Sequence, residues 1–252
     1  MAIIEHPILF SGEMVKAILD GRKTMTRRVV KPQPIKLDIG AWFPSGHPGD
    51  SKNRTGLHYA NEHHFRKGFP IDFSPYGQLG DRLWVRETWK IASFMEGDPM
   101  LFQYRADGGE AEENDHYDEL KYEGWFERVC IQSTDYLEKI KWPNKNDDGI
   151  YSWDNGKSPL PWRPAIFMPR WASRINLEIV SVKVERVQEI TWQEVIPEGI
   201  GASTVSRGVL SDNPPNPRWK FIEVWNKINA KRGFGWDINP WVWVIEFKRV
   251  TP

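Results

Sequence analysis

A single cysteine, Cys130, stands among 252 residues. That leaves no intrachain disulfide and too few thiolates for a multi-cysteine metal site, and it fits a reducing compartment, so the chain is expected in the cytoplasm. No apolar run approaches the ~18 residues of a membrane span. The first residues lack a basic segment followed by an apolar core, so neither a secretory leader nor a membrane partner is expected. An excess of one charge is also missing, because Lys+Arg and Asp+Glu each total 34. A bulk polyanion binder is thereby excluded, and any contact with nucleic acid has to come from a local basic patch. There is no Gly-rich phosphate loop and no internal repeat, which removes the dinucleotide-binding α/β plan. His58, His63 and His64 come nearest to a metal cluster. They lie in a stretch that reads as loop, without the helical spacing of a zinc site, so no metal or cofactor is expected.

What the chain has in quantity is tryptophan, 14 residues, within a hydrophobic fraction of 40%. Pro7-Ile8-Leu9-Phe10 reads as a short strand. Ser11 is placed to cap a helix carrying Met14, Val15, Ile18 and Leu19 on one stripe, and Gly21 ends it. Thr24 to Val30 reads as extended. Residues 32–78 lose periodicity and are rich in Pro, Gly, His and Asn. Leu83 to Trp89 is expected as one strand after the Gly80-Asp81 turn, and Phe102 to Tyr104 as another. The acidic stretch 106–120 reads as a solvated loop, and 142–164 is again irregular. Ile175 to Val187 alternates as one long strand or a bent pair. Thr191-Trp192-Gln193-Glu194 has the form of a capping box, and Pro197 is expected to end or kink the short helix it opens. Trp219, Ile222, Trp225 and Ile228 predict a helix over 217–231, stopped at Gly233. Trp241, Trp243, Ile245 and Phe247 predict a closing strand with one aromatic face. This order suits an α+β fold, a twisted β-barrel flanked by helices.

The chemistry concentrates in Gly21-Arg22-Lys23-Thr24-Met25-Thr26-Arg27-Arg28, which sets a lysine, two hydroxyls and three guanidiniums in eight residues. Such a segment suits an anion site, with Lys23, Arg27 and Arg28 as its cations, or acyl transfer. Trp84, Trp89 and Trp192 are candidates to stack on a base, and Glu87 is expected to pair with an arginine.

Three segments together carry a family resemblance: Gly21-Arg22-Lys23-Thr24-x-Thr26, Gly80-Asp81-x-Leu83-x-Val85-Arg86-Glu87, and Trp243-Val244-Ile245-Glu246-Phe247. In this order they resemble the ASCH domain of the PUA-like β-barrel superfamily. With the front segment Pro7 to Ser11 and the terminal Trp241 to Ile245, the chain looks like the long phage and prophage members. The resemblance implies a single domain over 1–252 with large loop-rich insertions at about 32–78 and 90–168, acting in the host cytoplasm if phage-encoded. One branch of the family removes the acetyl group from N4-acetylcytidine with a Lys, a Thr and a distant Glu, which fall here on Lys23, Thr26 and Glu198. The implied function is an amidohydrolase for N4-acylated cytosine or cytidine. Thr26 would be the nucleophile and Lys23 its base, and Arg22, Thr24, Arg27, Arg28, Trp84, Arg86 and Glu87 would contact substrate. Backbone N–H groups near Gly21, or the arginines, would hold the oxyanion. Other members bind RNA or cleave it, so the alternative is an RNA-binding module or ribonuclease in phage or host nucleic-acid metabolism. The partner is then a modified nucleoside or RNA, with a protein partner possible on the insertions. Because strand side chains alternate, Lys23 and Thr26 converge only if Lys23 lies in the turn before the strand.

Overall fold

The computed structural model describes residues 3–31, 33, 35–37, 40–44, 57–60, 74–94, 99–113, 119–200 and 217–250. His63 and His64 lie outside the described residues. So does most of 32–78, where the backbone of three short strands is described: β3 (Ile35–Leu37), β4 (Gly40–Pro44) and β5 (Leu57–Ala60). The chain is a mixed α+β structure, as expected, and it divides into two compact units. The first comprises Met1–His6, Ala17–Leu83 and Leu177–Val250, and the second Pro7–Lys16, Trp84–Asn176 and Thr251–Pro252.

The main sheet has the order β1-β6-β10-β11-β2, with β1 at Glu5–Leu9, β2 at Met25–Val29, β6 at Arg82–Arg86, β10 at Asn176–Arg186 and β11 at Trp241–Val250. Among the described residues this is an open series, and no closed barrel is formed. Helix α1 (Gly12–Leu19) starts where the sequence places it: the Ser11 hydroxyl accepts the Met14 N–H at 3.4 Å. It ends at Gly21, whose φ of +72° lets its N–H return to the Ile18 carbonyl at 3.0 Å. The chain then turns directly into β2, which pairs antiparallel with β11 and sets Thr26 opposite Ile245.

Helix α3 (Trp192–Val195) carries the capping box as read, with Thr191 accepting the Glu194 N–H. Helix α4 (Arg218–Asn229) forms, but its buried stripe is Phe221, Trp225 and Asn229. Trp219 and Ile228, which mark the helical spacing in the sequence, are exposed, because the covered face follows a spacing of four rather than three. Val242 and Val244 are as fully buried as Trp243 and Ile245, so both faces of β11 are covered. Val242 and Val244 join Met25, Val187, Ile190, Val195, Phe221 and Trp225 in one cluster, which forms the core of the first unit.

Among the described residues, 142–164 is irregular as read, but 90–139 holds more regular structure than expected. Leu83 to Trp89 is broken at Glu87-Thr88 into β6 and a new strand, β7 (Trp89–Ser93). That strand pairs antiparallel with β8 (Leu101–Tyr104), and β8 pairs with β9 (Glu110–Glu112), inside the stretch read as loop. A helix of 21 residues, α2 (Glu119–Lys139), follows. Val129 and Leu137 from it are buried against Trp89, Met100, Phe102, Tyr104 and Met168, with Trp125 and Trp171 packed on the outside. Buried aromatic pairs such as Trp89–Phe102, edge to face at 5.5 Å, hold the core of the second unit.

Candidate functional site

Lys23 does lie in the turn before β2. Its N–H joins that of Arg22 on the Ala17 carbonyl at the end of α1, and its backbone bridges Glu198. The side chain is wholly buried, with Nζ 2.7 Å from the Met25 carbonyl, 2.7 Å from the Glu198 carbonyl and 3.1 Å from Glu198 Oε2. Burial pushes the Lys23 ammonium below its usual value, against the opposing pull of Glu198. Glu198 sits in the turn after α3, as Pro197 suggested, and not in a helix. Gly199 behind it has φ +84°, and a Cβ there would meet Lys23 Cβ at 3.0 Å and Ala17 Cβ at 3.1 Å. Only a glycine lets the Glu198 segment close down on Lys23 in this way.

Thr26 is buried on β2. Met25 and Arg27 share one face of the strand, Arg27 Nη1 lying 3.3 Å from Met25 Sδ, and alternation turns Thr26 to the other. No hydrogen bond joins its hydroxyl to Lys23 or Glu198. The two are nonetheless near. Across a trans peptide the Met25 carbonyl oxygen is about 2.8 Å from Thr26 Cα, so Lys23 Nζ lies within about 6 Å of that atom.

Arg27 is the residue whose role the structure changes most. Instead of facing a bound anion, its buried guanidinium meets three of the chain's own carboxylates: Glu185 at 2.6 Å, Glu194 at 3.1 Å and Glu198 at 3.1 Å. Burial alone would lower its affinity for the proton; the three carboxylates more than offset this and raise it. Lys183 extends the network, bridging Glu185 at 3.1 Å and Glu194 at 3.0 Å. Burial would raise the Glu194 carboxyl, but the Thr191 N–H, Lys183 and Arg27 outweigh it and hold Glu194 at about 2. Lys23, Arg27 and Glu198 thus belong to one ionic cluster in which Glu198 spends one oxygen on each cation. Glu185 and Glu194 were not foreseen as members. Glu194 was visible as a capping residue, but nothing local marks Glu185 as the partner of an arginine 158 positions away.

The remaining candidates separate. Arg28 is half-buried, and burial pushes its guanidinium down, with Tyr76 and Glu198 opposing. Arg22 is exposed and paired with Asp20 at 2.8 Å. Thr24 is exposed as well, its N–H bonded to the Pro197 carbonyl at 2.9 Å. The N–H groups of Gly21, Arg22 and Lys23 all serve helix carbonyls, so the oxyanion role expected near Gly21 is not available to them. In the second unit Glu87 is buried in a two-pronged pair with Arg174, at 3.0 and 3.1 Å, as its arginine-pairing reading required. Trp84 and Trp89 are buried, with Arg86 at 4.5 Å over the first ring and Arg163 at 5.5 Å over the second, so neither offers an open face to a base. Trp192 is exposed. Among the described residues no group of three His, Cys, Asp or Glu side chains is arranged to hold a metal ion, and no helix is long and apolar enough to cross a membrane.

No family model, curated protein or solved structure matches this chain. What the site can do therefore rests on its own chemistry: a buried lysine locked to a carboxylate, beside a strand hydroxyl.

Proposed function

We propose that the Lys23–Glu198 centre hydrolyses the exocyclic amide of an N4-acylated cytosine, in a chain that follows the PUA-like barrel plan of the ASCH family. The observation that carries this reading is the buried Lys23, its ammonium destabilised by desolvation, one peptide from Thr26 and bonded to Glu198. A general base needs a proton affinity lowered in this way.

In the reaction, neutral Lys23 takes the proton of the Thr26 hydroxyl as its oxygen adds to the acyl carbon. The tetrahedral adduct then breaks at the C–N bond. The exocyclic nitrogen receives the proton from the Lys23 ammonium and leaves as the amine of cytosine, and the acyl group remains as a Thr26 ester. Water hydrolyses that ester, with Lys23 again taking the proton and returning it to Thr26. Glu198 orients the lysine and keeps it from swinging out of the turn.

The Arg27 arrangement favours a small neutral substrate over a polyanion. Three carboxylates surround that guanidinium, so the segment presents far less positive charge than its sequence suggests. The test is chromatographic conversion of N4-acetylcytidine to cytidine by the purified protein beside Lys23→Ala and Glu198→Gln. Conversion by wild type that survives in Lys23→Ala would refute the mechanism, and no conversion by wild type would refute the substrate.

A further inference from the structure

The second unit holds a cavity of about 700 Å³ that shares no residue with the Lys23 centre. Helix α2 forms one side of it. Phe126, Cys130 and Thr134 follow at intervals of four along the helix, with Glu127 and Ile131 on the adjoining row. Gly149, Ile150, Tyr151 and, just beyond β7, Phe94 supply the rest of the lining. Hydrogen bonds within the chain fix that second wall. The Asn146 N–H donates to the Ile150 carbonyl at 2.9 Å, and the Ile150 N–H donates to Asn146 Oδ1 at 2.7 Å, which locks the turn 146–150. The Trp153 indole N–H reaches the Ala92 carbonyl of β7 at 2.5 Å, and the Phe94 ring packs on that indole at 6.2 Å.

The volume is that of a small-molecule site, which commonly falls between about 300 and 1,000 Å³. Most of the lining is aromatic or aliphatic. Ile131 and Ile150 are 54% and 53% exposed, apolar surface that a ligand takes out of water. Burial pushes the Cys130 thiol up, so it stays uncharged and acts as a small, soft hydrophobe. Among the described residues Glu127 is the one charged side chain in the lining, and it has no ion pair. Asp147 and Asp148, immediately before Gly149, are exposed and likewise unpaired among the described residues. Lys145, whose ammonium lies 4.8 Å from the Tyr151 ring centroid, is held by Glu138 at 3.4 Å. The cavity thus offers ring faces and one uncompensated carboxylate, a setting that attracts an ammonium and repels an anion.

We infer that this cavity binds a small apolar amine, with its hydrocarbon or aryl body against α2 and the 149–151 segment and its ammonium at Glu127. Phe94, Phe126 and Tyr151 supply the contact area, and Glu127 sets the sign of the ligand's charge. An acid of the same shape would bring its carboxylate against Glu127, and a neutral analogue would leave Glu127 uncompensated. The site stands or falls apart from the amidohydrolase reading, since neither uses a residue of the other.

Cys130 supplies the experiment, because it is the one cysteine in the chain and lines the cavity. Its alkylation by iodoacetamide, followed on the full chain by intact-protein mass spectrometry, is slowed by whatever fills the space beside it. Phenethylamine, phenethyl alcohol and hydrocinnamate have similar bodies and differ in charge. The amine is expected to protect Cys130 about fivefold more tightly than the alcohol, the scale of an ion pair at an exposed carboxylate, and the acid to protect least. Glu127→Gln is expected to make amine and alcohol equal. Ile131→Ala, at an exposed position where folding is not at risk, is expected to weaken both about fivefold and to keep the preference for the amine, since it removes apolar area and no charge. Protection by the acid equal to that by the amine would overturn the proposal. So would a preference for the amine that persists in Glu127→Gln, or no protection by any of the three probes at millimolar concentration.

Discussion

Replacing Arg27 with glutamine is the sharpest test of how the Lys23 centre is held together. The side chain has no solvent exposure and contacts Glu185, Glu194 and Glu198, themselves 11%, 21% and 6% exposed. Removing one partner of a buried ion pair costs about 3–5 kcal/mol, because the other charge is left uncompensated. Here each carboxylate keeps one cation: Lys183 holds Glu185 and Glu194, and Lys23 holds Glu198. The loss should therefore fall at the lower end, about 3 kcal/mol. Urea denaturation of the two proteins, followed by tryptophan fluorescence, measures it. Trp225 lies in the same core as Met25 and reports on the first unit. Thermal denaturation should show a fall of roughly 6–12 °C, given about 2–4 °C per kcal/mol for a chain of this size. Arg27→Lys should recover little, since one ammonium cannot replace a fork that spans three carboxylates. A loss below about 1 kcal/mol would mean that the network is a solvated surface cluster, and the reasoning about Glu198 would fail with it.

Gly199→Ala should destabilise the first unit by about 1–3 kcal/mol, from the positive φ and the contact at 3.0 Å with Lys23 Cβ, and should lower the proposed amidohydrolase activity more than Gly233→Ala, whose Cβ meets nothing. In acid, Glu194 is held near 2 from a usual 4.5, so the stability it contributes is complete above about pH 4.5 and drains as pH falls towards 2; a pH series of urea midpoints for wild type and Glu194→Gln should converge across that window. Lys23 behaves in the opposite sense. Its folded-state proton affinity is depressed, so kcat/KM should rise with pH on a limb set below the usual 10.5 of a lysine, and Glu198→Gln should move that limb to lower pH by removing the carboxylate that favours the ammonium. An unmoved limb in that variant would show that Lys23 is not the titrating group.

Much of the framework was legible because its signals are local. Ser11 and Gly21 bound α1, Thr191 and Glu194 cap α3, and alternation marks β10 and β11; each depends on residues within a few positions of one another. The turn position of Lys23 was the condition the sequence set for it to approach Thr26, and Gly21 allowed it. Helix α2 was missed although its signal is present. Tyr122, Trp125, Phe126, Val129 and Leu137 recur at helical spacing, but the acidic run ahead of them and Gly124 among them obscured the pattern. The stripe of α4 was drawn through the most hydrophobic residues, whereas packing buried Phe221 and left Trp219 outside.

The sequence by itself determined where α1, α3, β10 and β11 lie, and it set a glycine stop and a hydroxyl-bearing strand on either side of Lys23. Only the tertiary structure decided what the charges do. Glu185 comes from β10, Glu194 from α3 and Glu198 from the turn beyond, and together they convert Arg27 from an apparent anion binder into the centre of a buried cluster. Trp84, which reads as a base platform, lies buried under Arg86. Backbone signals act over one turn of chain, but an ion pair depends on which distant segments the fold brings within about 4 Å and how much water it removes between them.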